Sequence, residues 1–234
     1  MKIATIVPAR KGSKGIKNKN KKILGNMPLV EWTFQFASSL KNSFINIVST
    51  DDQDILTLSQ KYNFINFGLR PINLSQDNSL TIDVLKYEVN NLLKIYKDID
   101  GVMLLQPTCP FRNKSLFENT IEEFSRNSSI SFVSVSDVGG NHPQRMKIIT
   151  NGFLENYIEQ GFEDMRPRQL LPKIYIRSGS LYLTSINNIL SGKLVGEKQK
   201  PVILENLYTI NIDDLKDFML AEIFLPDFIN LNSF

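Results

Sequence analysis

The feature that most constrains this chain is an alternation. Short apolar runs of strand length are separated by longer segments whose apolar residues recur on a helical period. Strands are expected over residues 3–7, 45–49, 102–105, 131–135, 174–184 and 208–212. Helices are expected over 28–40, 53–62, 81–96, 113–124 and 214–224. Runs such as Ile3-Ala4-Thr5-Ile6-Val7 are apolar almost throughout, which suits strands covered on both faces. Pro28 falls at the first turn of the first helix, where no backbone N–H is needed, and Asp51-Asp52 can cap the second. Val84, Leu85, Val89, Leu92 and Leu93 mark one face of the third. The alternation predicts an α/β fold built on an open, mostly parallel sheet.

The 234 residues fit one domain, 1–234, with room for an insertion. The insertion is expected at 139–173, where helical and strand periods fail and Gly and Pro recur. A stretch this long in a compact domain points to an oligomer arm or a substrate lid, formed by irregular structure or short strands. Lys and Arg number 27 against 24 Asp and Glu, a net +3, too even for a surface devoted to nucleic acid. A single Cys, Cys109, and a single His, His142, exclude a disulfide framework, a Cys-rich zinc site and any pair of imidazoles. No apolar run approaches the ~18 residues of a membrane span, and the opening apolar run is too short for a secretion signal, so a cytoplasmic protein is expected.

The loop after the first strand concentrates charge. Residues 8–20 hold Arg10, Lys11, Lys14, Lys17 and Lys19, together with Gly12 and Gly15, and no acid. In an open α/β sheet, ligands bind at the carboxyl ends of the strands. Glycines there let successive N–H groups face an anion, and the cations add charge, as a triphosphate requires. The spacing matches neither the P-loop nor the dinucleotide fingerprint.

Ile6-Val7-Pro8-Ala9-Arg10-Lys11-Gly12-Ser13-Lys14-Gly15, with Lys19-Asn20 beyond it, resembles the signature of the N-acylneuraminate cytidylyltransferases, or CMP-sialic acid synthetases. The resemblance continues in order through Pro28-Leu29-Val30, Val48-Ser49-Thr50-Asp51, Arg70-Pro71 and Leu74-Ser75-Gln76-Asp77. It extends through Leu104-Leu105-Gln106-Pro107-Thr108-Cys109-Pro110-Phe111-Arg112, Arg168-Gln169, and Ile212-Asp213 followed by Asp217-Phe218. It implies a Rossmann-like nucleotidyltransferase fold with an inserted dimerisation arm. It also implies transfer of CMP from CTP to the anomeric hydroxyl of a nonulosonic sugar acid, with release of pyrophosphate.

Carried onto this chain, the resemblance gives Arg10, Lys19 and Asp213 the catalytic roles. Ala9, Gly12, Ser13, Lys14, Asn20, Arg70 and Thr81 join Arg10 and Lys19 around the nucleotide. Gln106, Pro107 and Thr108 face the sugar, as do Arg166, Gln169, Lys173 and Tyr175 in and just after the insertion. Mg²⁺ is implied at Asp213, with Asn211 standing where the family usually has a second aspartate. Asn supplies one neutral oxygen, so the site loses a charge. Asp213 is also placed to cap the last helix. A second departure is Ser178-Gly179, where the family commonly has Asn-Gly, which suggests a different acyl pattern or a different nonulosonic acid. Cys109 and His142 are expected to pack rather than react. Two other readings stand beside the main one. A 3-deoxy-manno-octulosonate cytidylyltransferase typically lacks the Gly-Ser-Lys-Gly run. A non-catalytic nucleotide-binding regulator of the same fold is kept open by Asn211.

Overall fold

The computed structural model describes residues 1–12, 15–158 and 165–232. Its centre is a six-stranded sheet in the order β10-β6-β9-β5-β1-β4. β1 (Ile3–Pro8) lies between β4 (Ile45–Ser49) and β5 (Gly101–Leu104), parallel to both. β6 (Ser131–Asp137) is parallel to β10 (Gln199–Leu204). β9 (Tyr175–Ser185) runs between β5 and β6, antiparallel to each. Five strands therefore point one way, and the carboxyl ends of β1, β4, β5 and β6 open on the same edge.

The apolar runs do what their pattern implies. Along β1, Ile3 and Val7 face one core while Ala4 and Ile6 face the other. The first core is closed by α1 (Leu29–Ser39), α2 (Gln53–Gln60) and α4 (Lys114–Arg126), with Phe34, Ile55 and Phe117 among its members. The second is closed by α3 (Thr81–Ile95) and the short α5 (Ile186–Leu190), through Leu85, Val89, Leu92 and Ile189. A third core lies where α6 (Leu215–Asn232) packs Phe218, Ala221, Leu225 and Phe228 against Trp32 and Phe111. Asp52 caps α2 by accepting from the Asp54 N–H, and Asn113 caps α4 by accepting from the Leu116 N–H. Pro28 precedes the first turn of α1 rather than occupying it. It belongs to a small hairpin of β2 (Ile23–Leu24) and β3 (Met27–Pro28).

The expected strand over 208–212 is not one. A 3₁₀ turn occupies Asn206–Thr209, and the chain then runs extended without a ladder partner among the described residues. Leu207, Ile210 and Ile212 are apolar because they pack into the α6 core, and Ile212 N–H is tied to the Thr108 carbonyl at 2.8 Å. The sixth strand is instead β10, whose Gln-Lys-Pro-Val-Ile-Leu sequence hides behind Pro201. Proline is tolerated there because β10 is an edge strand.

The segment 139–173 leaves the sheet after β6 and returns as β9. Within it β7 (Lys147–Thr150) and β8 (Phe153–Asn156) form an antiparallel hairpin. Asn151 and Gly152 both adopt positive φ at its turn, the backbone that Asn-Gly favours in two-residue hairpins. Ile149, Phe153 and Leu154 are each more than 70% exposed.

Candidate active site

The basic loop leaves β1 under close control. Ala9 N–H donates to Ser49 O, and the Thr50 hydroxyl donates to Ala9 O at 2.6 Å. Lys11 N–H donates to the Asp51 carboxylate, and the Asn20 amide donates to Arg10 O. Ala9 thus sits behind the cleft as an anchor of the loop. Gly12, at φ +78°, turns the chain where a side chain would be strained. Gly15 presses against the last loop of the molecule: a Cβ there would lie 2.1 Å from Asp213 O. Ser13 and Lys14 lie outside the described residues.

A cleft of about 260 Å³ opens at the carboxyl edge, between this loop, the Arg70–Thr81 segment and the turn after β5. Arg10, Lys19, Asn20, Arg70, Thr81, Gln106, Pro107 and Thr108 all line it, side chains drawn from positions almost a hundred residues apart. Arg70 is buried rather than part of a surface turn. Its Nε donates to the Ser75 hydroxyl, and its Nη2 lies 3.8 Å from Asp51. Burial lowers its pKa, against the raising pull of Asp51 and Glu88. Thr81 is the first helical residue of α3, and no side chain caps that helix, so its position in the cleft is not a capping role. Arg10 Nη1 lies 2.6 Å from Asp77 across the cleft.

Gln76, Asp77, Ser79, Leu74 and Val84 also line the cleft, and residue chemistry alone did not single them out. Their signal was positional: Leu74–Asp77 fell in order within the resemblance.

The floor continues to the candidate metal residues. Lys19, only 12% exposed, donates to Ile212 O at 2.8 Å and lies 3.5 Å from Asp213 Oδ1. The Asn211 amide donates to Asp213 Oδ2 at 2.8 Å, and the Cys109 thiol donates to Asn211 Oδ1. Asp213 itself is 71% exposed at its side chain and does not cap α6. Asp214 and Asp217 do that reciprocally. The Asp213 and Asp214 N–H groups donate to Asp217, while Asp217 N–H donates to Asp214. No group of three His, Cys, Asp or Glu side chains converges among the described residues. With one exposed carboxylate, shared with Lys19, a Mg²⁺ ion there would have to be held chiefly by phosphate oxygens and water.

The four residues expected to grip the sugar from the insertion lie outside this cleft. Gln169 and Lys173 line a separate pocket of about 180 Å³ with Asp137 and His142. Arg166 accepts a bond from Arg145 at its carbonyl, and Tyr175 pairs with Asp137 at the start of β9. His142 is buried: its Nδ1 accepts from Gln144 N–H, and its Nε2 donates to Pro172 O. Cys109 is buried too, and burial pushes its thiol up to about 11. Ser178 turns its hydroxyl into the sheet, donating to Ser134. Gly179, at φ +82°, leaves room for Gln106, whose Oε1 would stand 2.3 Å from any Cβ there.

A mainly parallel sheet with a basic glycine loop and two arginines at its carboxyl edge defines a nucleotide-binding protein of the nucleotidyltransferase class. Residues 4–176 match the cytidylyltransferase family, and the chain belongs to that family. It is 31% identical to CMP-N,N'-diacetyllegionaminic acid synthase of Legionella pneumophila, over 95% of each chain. It is 28% identical to N-acylneuraminate cytidylyltransferase of Escherichia coli, covering 94% of this chain and 51% of the relative, so it spans about half that protein's length. Its fold is similar to that of a CMP:2-keto-3-deoxy-manno-octonic acid synthetase complexed with CTP. That match has a TM-score of 0.68 at 13% identity, over 97% of this chain and 99% of the other. No helix among the described residues is long and apolar enough to cross a membrane.

Proposed function

We propose that this chain transfers CMP from CTP to the anomeric hydroxyl of a sialic-acid-like nonulosonic acid, releasing pyrophosphate. The observation that carries the reading is the single cleft shared by Arg10, Lys19, Asn20, Arg70, Thr81 and the Gln106–Thr108 turn. Its two ends are chemically different. Arg10 and Lys19 supply fixed positive charge where a triphosphate would lie, and Gln106 and Thr108 supply neutral hydrogen-bonding groups suited to sugar hydroxyls and amides. Arg70 and Thr81 face the nucleoside end and select cytosine.

The sugar hydroxyl attacks the α-phosphorus and gives up its proton to solvent, the bond to the pyrophosphate oxygen breaks, and charge accumulates on the leaving group. Preorganised cations stabilise that charge more in the transition state than before it. Arg10 and Lys19 do this, Arg10 exchanging Asp77 for phosphate. Asp213 would hold Mg²⁺ with the nucleotide, and Asn211 would orient Asp213 by its amide. Bound there, Mg²⁺ acts as a Lewis acid and template on the phosphates. The exposed apolar hairpin of β7 and β8 makes a homodimer contact, and Arg166, Gln169, Lys173 and Tyr175 reach sugar from there. The working compartment is the cytoplasm.

The test is pyrophosphate release with each nucleoside triphosphate and a panel of 2-keto sugar acids. CTP with a nine-carbon acid should be turned over well ahead of ATP, GTP or UTP. Equal use of UTP, or preference for an eight-carbon acid, overturns the assignment.

A further inference from the structure

Arg112 is the largest fully buried side chain in the molecule's described residues, 1% exposed. A buried guanidinium is expensive unless its donors are matched. Among the described residues no carboxylate answers it, and the neighbouring Cys109 is a neutral thiol whose pKa burial pushes up to about 11. Its partners are neutral oxygens from three separate elements. Nη1 donates to the Thr33 hydroxyl of α1 at 2.9 Å, and Nη2 donates to the Gln106 carbonyl at 2.7 Å. Nε lies 3.5 Å from the Ser180 carbonyl of β9, and the plane sits 5.5 Å from the Phe36 ring. Only a planar fork with donors in fixed directions can make these contacts at once.

The Gln106 carbonyl is the point that matters. It begins the turn that puts Gln106, Pro107 and Thr108 into the cleft, and it also accepts from Cys109 N–H at 3.1 Å. The same turn carries the Thr108 carbonyl, which holds Ile212 N–H and so the Asn211–Asp213 segment. A buried cation with only neutral partners is thus placed under the turn that joins the sugar end to the phosphate end. We infer that Arg112 is a positioning residue: from beneath, it fixes the Gln106–Thr108 turn to α1 and β9 and thereby sets how the sugar acid is held. This rests on the cytidylyltransferase reading for its kinetic half only.

Two variants test it. Arg112→Lys keeps the charge but cannot span Thr33 and Gln106. Thr33→Val removes one anchor while leaving Arg112 and every cleft residue intact, and it serves if the lysine variant does not fold. Hydrogen exchange on the protein without substrates gives the first readout. The amides of Cys109 and Ile212 should exchange about fivefold faster or more in either variant, the scale of one lost hydrogen bond, with β1 and β4 unchanged. Kinetics give the second: KM for the sugar acid should rise about tenfold in Arg112→Lys, while the dissociation constant for CTP, measured by calorimetry, stays within about twofold. Unchanged exchange at Cys109 and Ile212 overturns the proposal. So does a rise in both substrate constants together with a lowered melting temperature, the mark of a merely structural arginine. If wild-type protein makes no CMP-sugar at all, the functional reading fails, and the exchange result still decides the role of Arg112.

Discussion

The cleft and the insertion are both rich in arginine and lysine, and they are built in opposite ways. In the cleft the cations are tied down. Lys19 is nearly buried on Ile212 O, Arg70 is buried on Ser75, and Arg10 is held by Asp77. In the insertion the apolar side chains face outward, with Ile149, Phe153 and Leu154 largely exposed, and Gln169 and Lys173 line a pocket of their own. Preorganised charge suits chemistry on a phosphate, since nothing must be rearranged when charge develops. An apolar hairpin held away from the body of the protein suits contact with something else. Charge alone does not separate the two regions; burial does, since Arg10, Lys19 and Arg70 are buried or half-buried while Arg145, Lys147, Arg168 and Lys173 are exposed.

The sharpest way to break the comparison is to remove a fixed charge from the cleft. Lys19→Ala and Asp213→Ala should each lower kcat by about 10²- to 10³-fold, as loss of other charge-stabilising groups does. Circular dichroism should show both variants folded. An Asp213→Ala enzyme with near-normal Mg²⁺-dependent turnover would end the metal assignment at that residue. Arg166→Ala should act differently, raising KM for the sugar acid with little change in CTP affinity.

The hairpin is expected to fail by dissociation instead. Phe153→Asp places a charge on the exposed apolar ridge of the hairpin, and an unpaired charge in an apolar contact costs several kcal/mol. Sedimentation should show a dimer for the wild type and a dimer dissociation constant about 100-fold weaker for the variant. A wild-type protein that is monomeric and fully active at micromolar concentration removes the dimer from the account.

These contrasts show what could be read from residues alone. The doubly covered strands were legible because burial on both faces leaves an unbroken apolar run, as in β1. The run at 208–212 carried the same signal for a different reason, since Ile210 and Ile212 are buried by α6 and not by strand neighbours. β10 was hidden because an edge strand tolerates Pro201 and its first three residues, Gln199, Lys200 and Pro201, are all exposed. That Arg10 and Lys19 share a cleft was legible because these cations cluster in one loop after β1. Asp77 and Arg112 were not, because their meaning lies in distant partners: Arg10 across the cleft, and Thr33, Gln106 and Ser180 around a buried fork. Asn151-Gly152 did carry a hairpin signal, but the short flanking runs in the insertion lacked a clear period.

The smallest effect concerns a polar group buried behind the cleft. Glu88 lies on α3 a turn beyond the cleft residue Val84, is 2% exposed, and its Oε2 makes no hydrogen bond. Burial raises its pKa from 4.5 to about 7, against the lowering influence of Ser49 and Arg70. The unfolded chain therefore releases this proton near pH 4.5, whereas the folded protein holds it to about pH 7. Between those values the folded state binds more protons, so stability falls as pH rises, and it levels off above the folded value. At 1.36 kcal/mol per pH unit the full loss is on the order of 3 kcal/mol as an upper figure. Glu88→Gln is neutral throughout, so it should match the wild type near pH 4.5 and exceed it by about 2–3 kcal/mol at pH 8. Urea unfolding across that range reads the difference directly. Curves for the two proteins that stay parallel from pH 4.5 to 8 would show that Glu88 is ionised in the fold and that Arg70 has a full carboxylate beneath it after all.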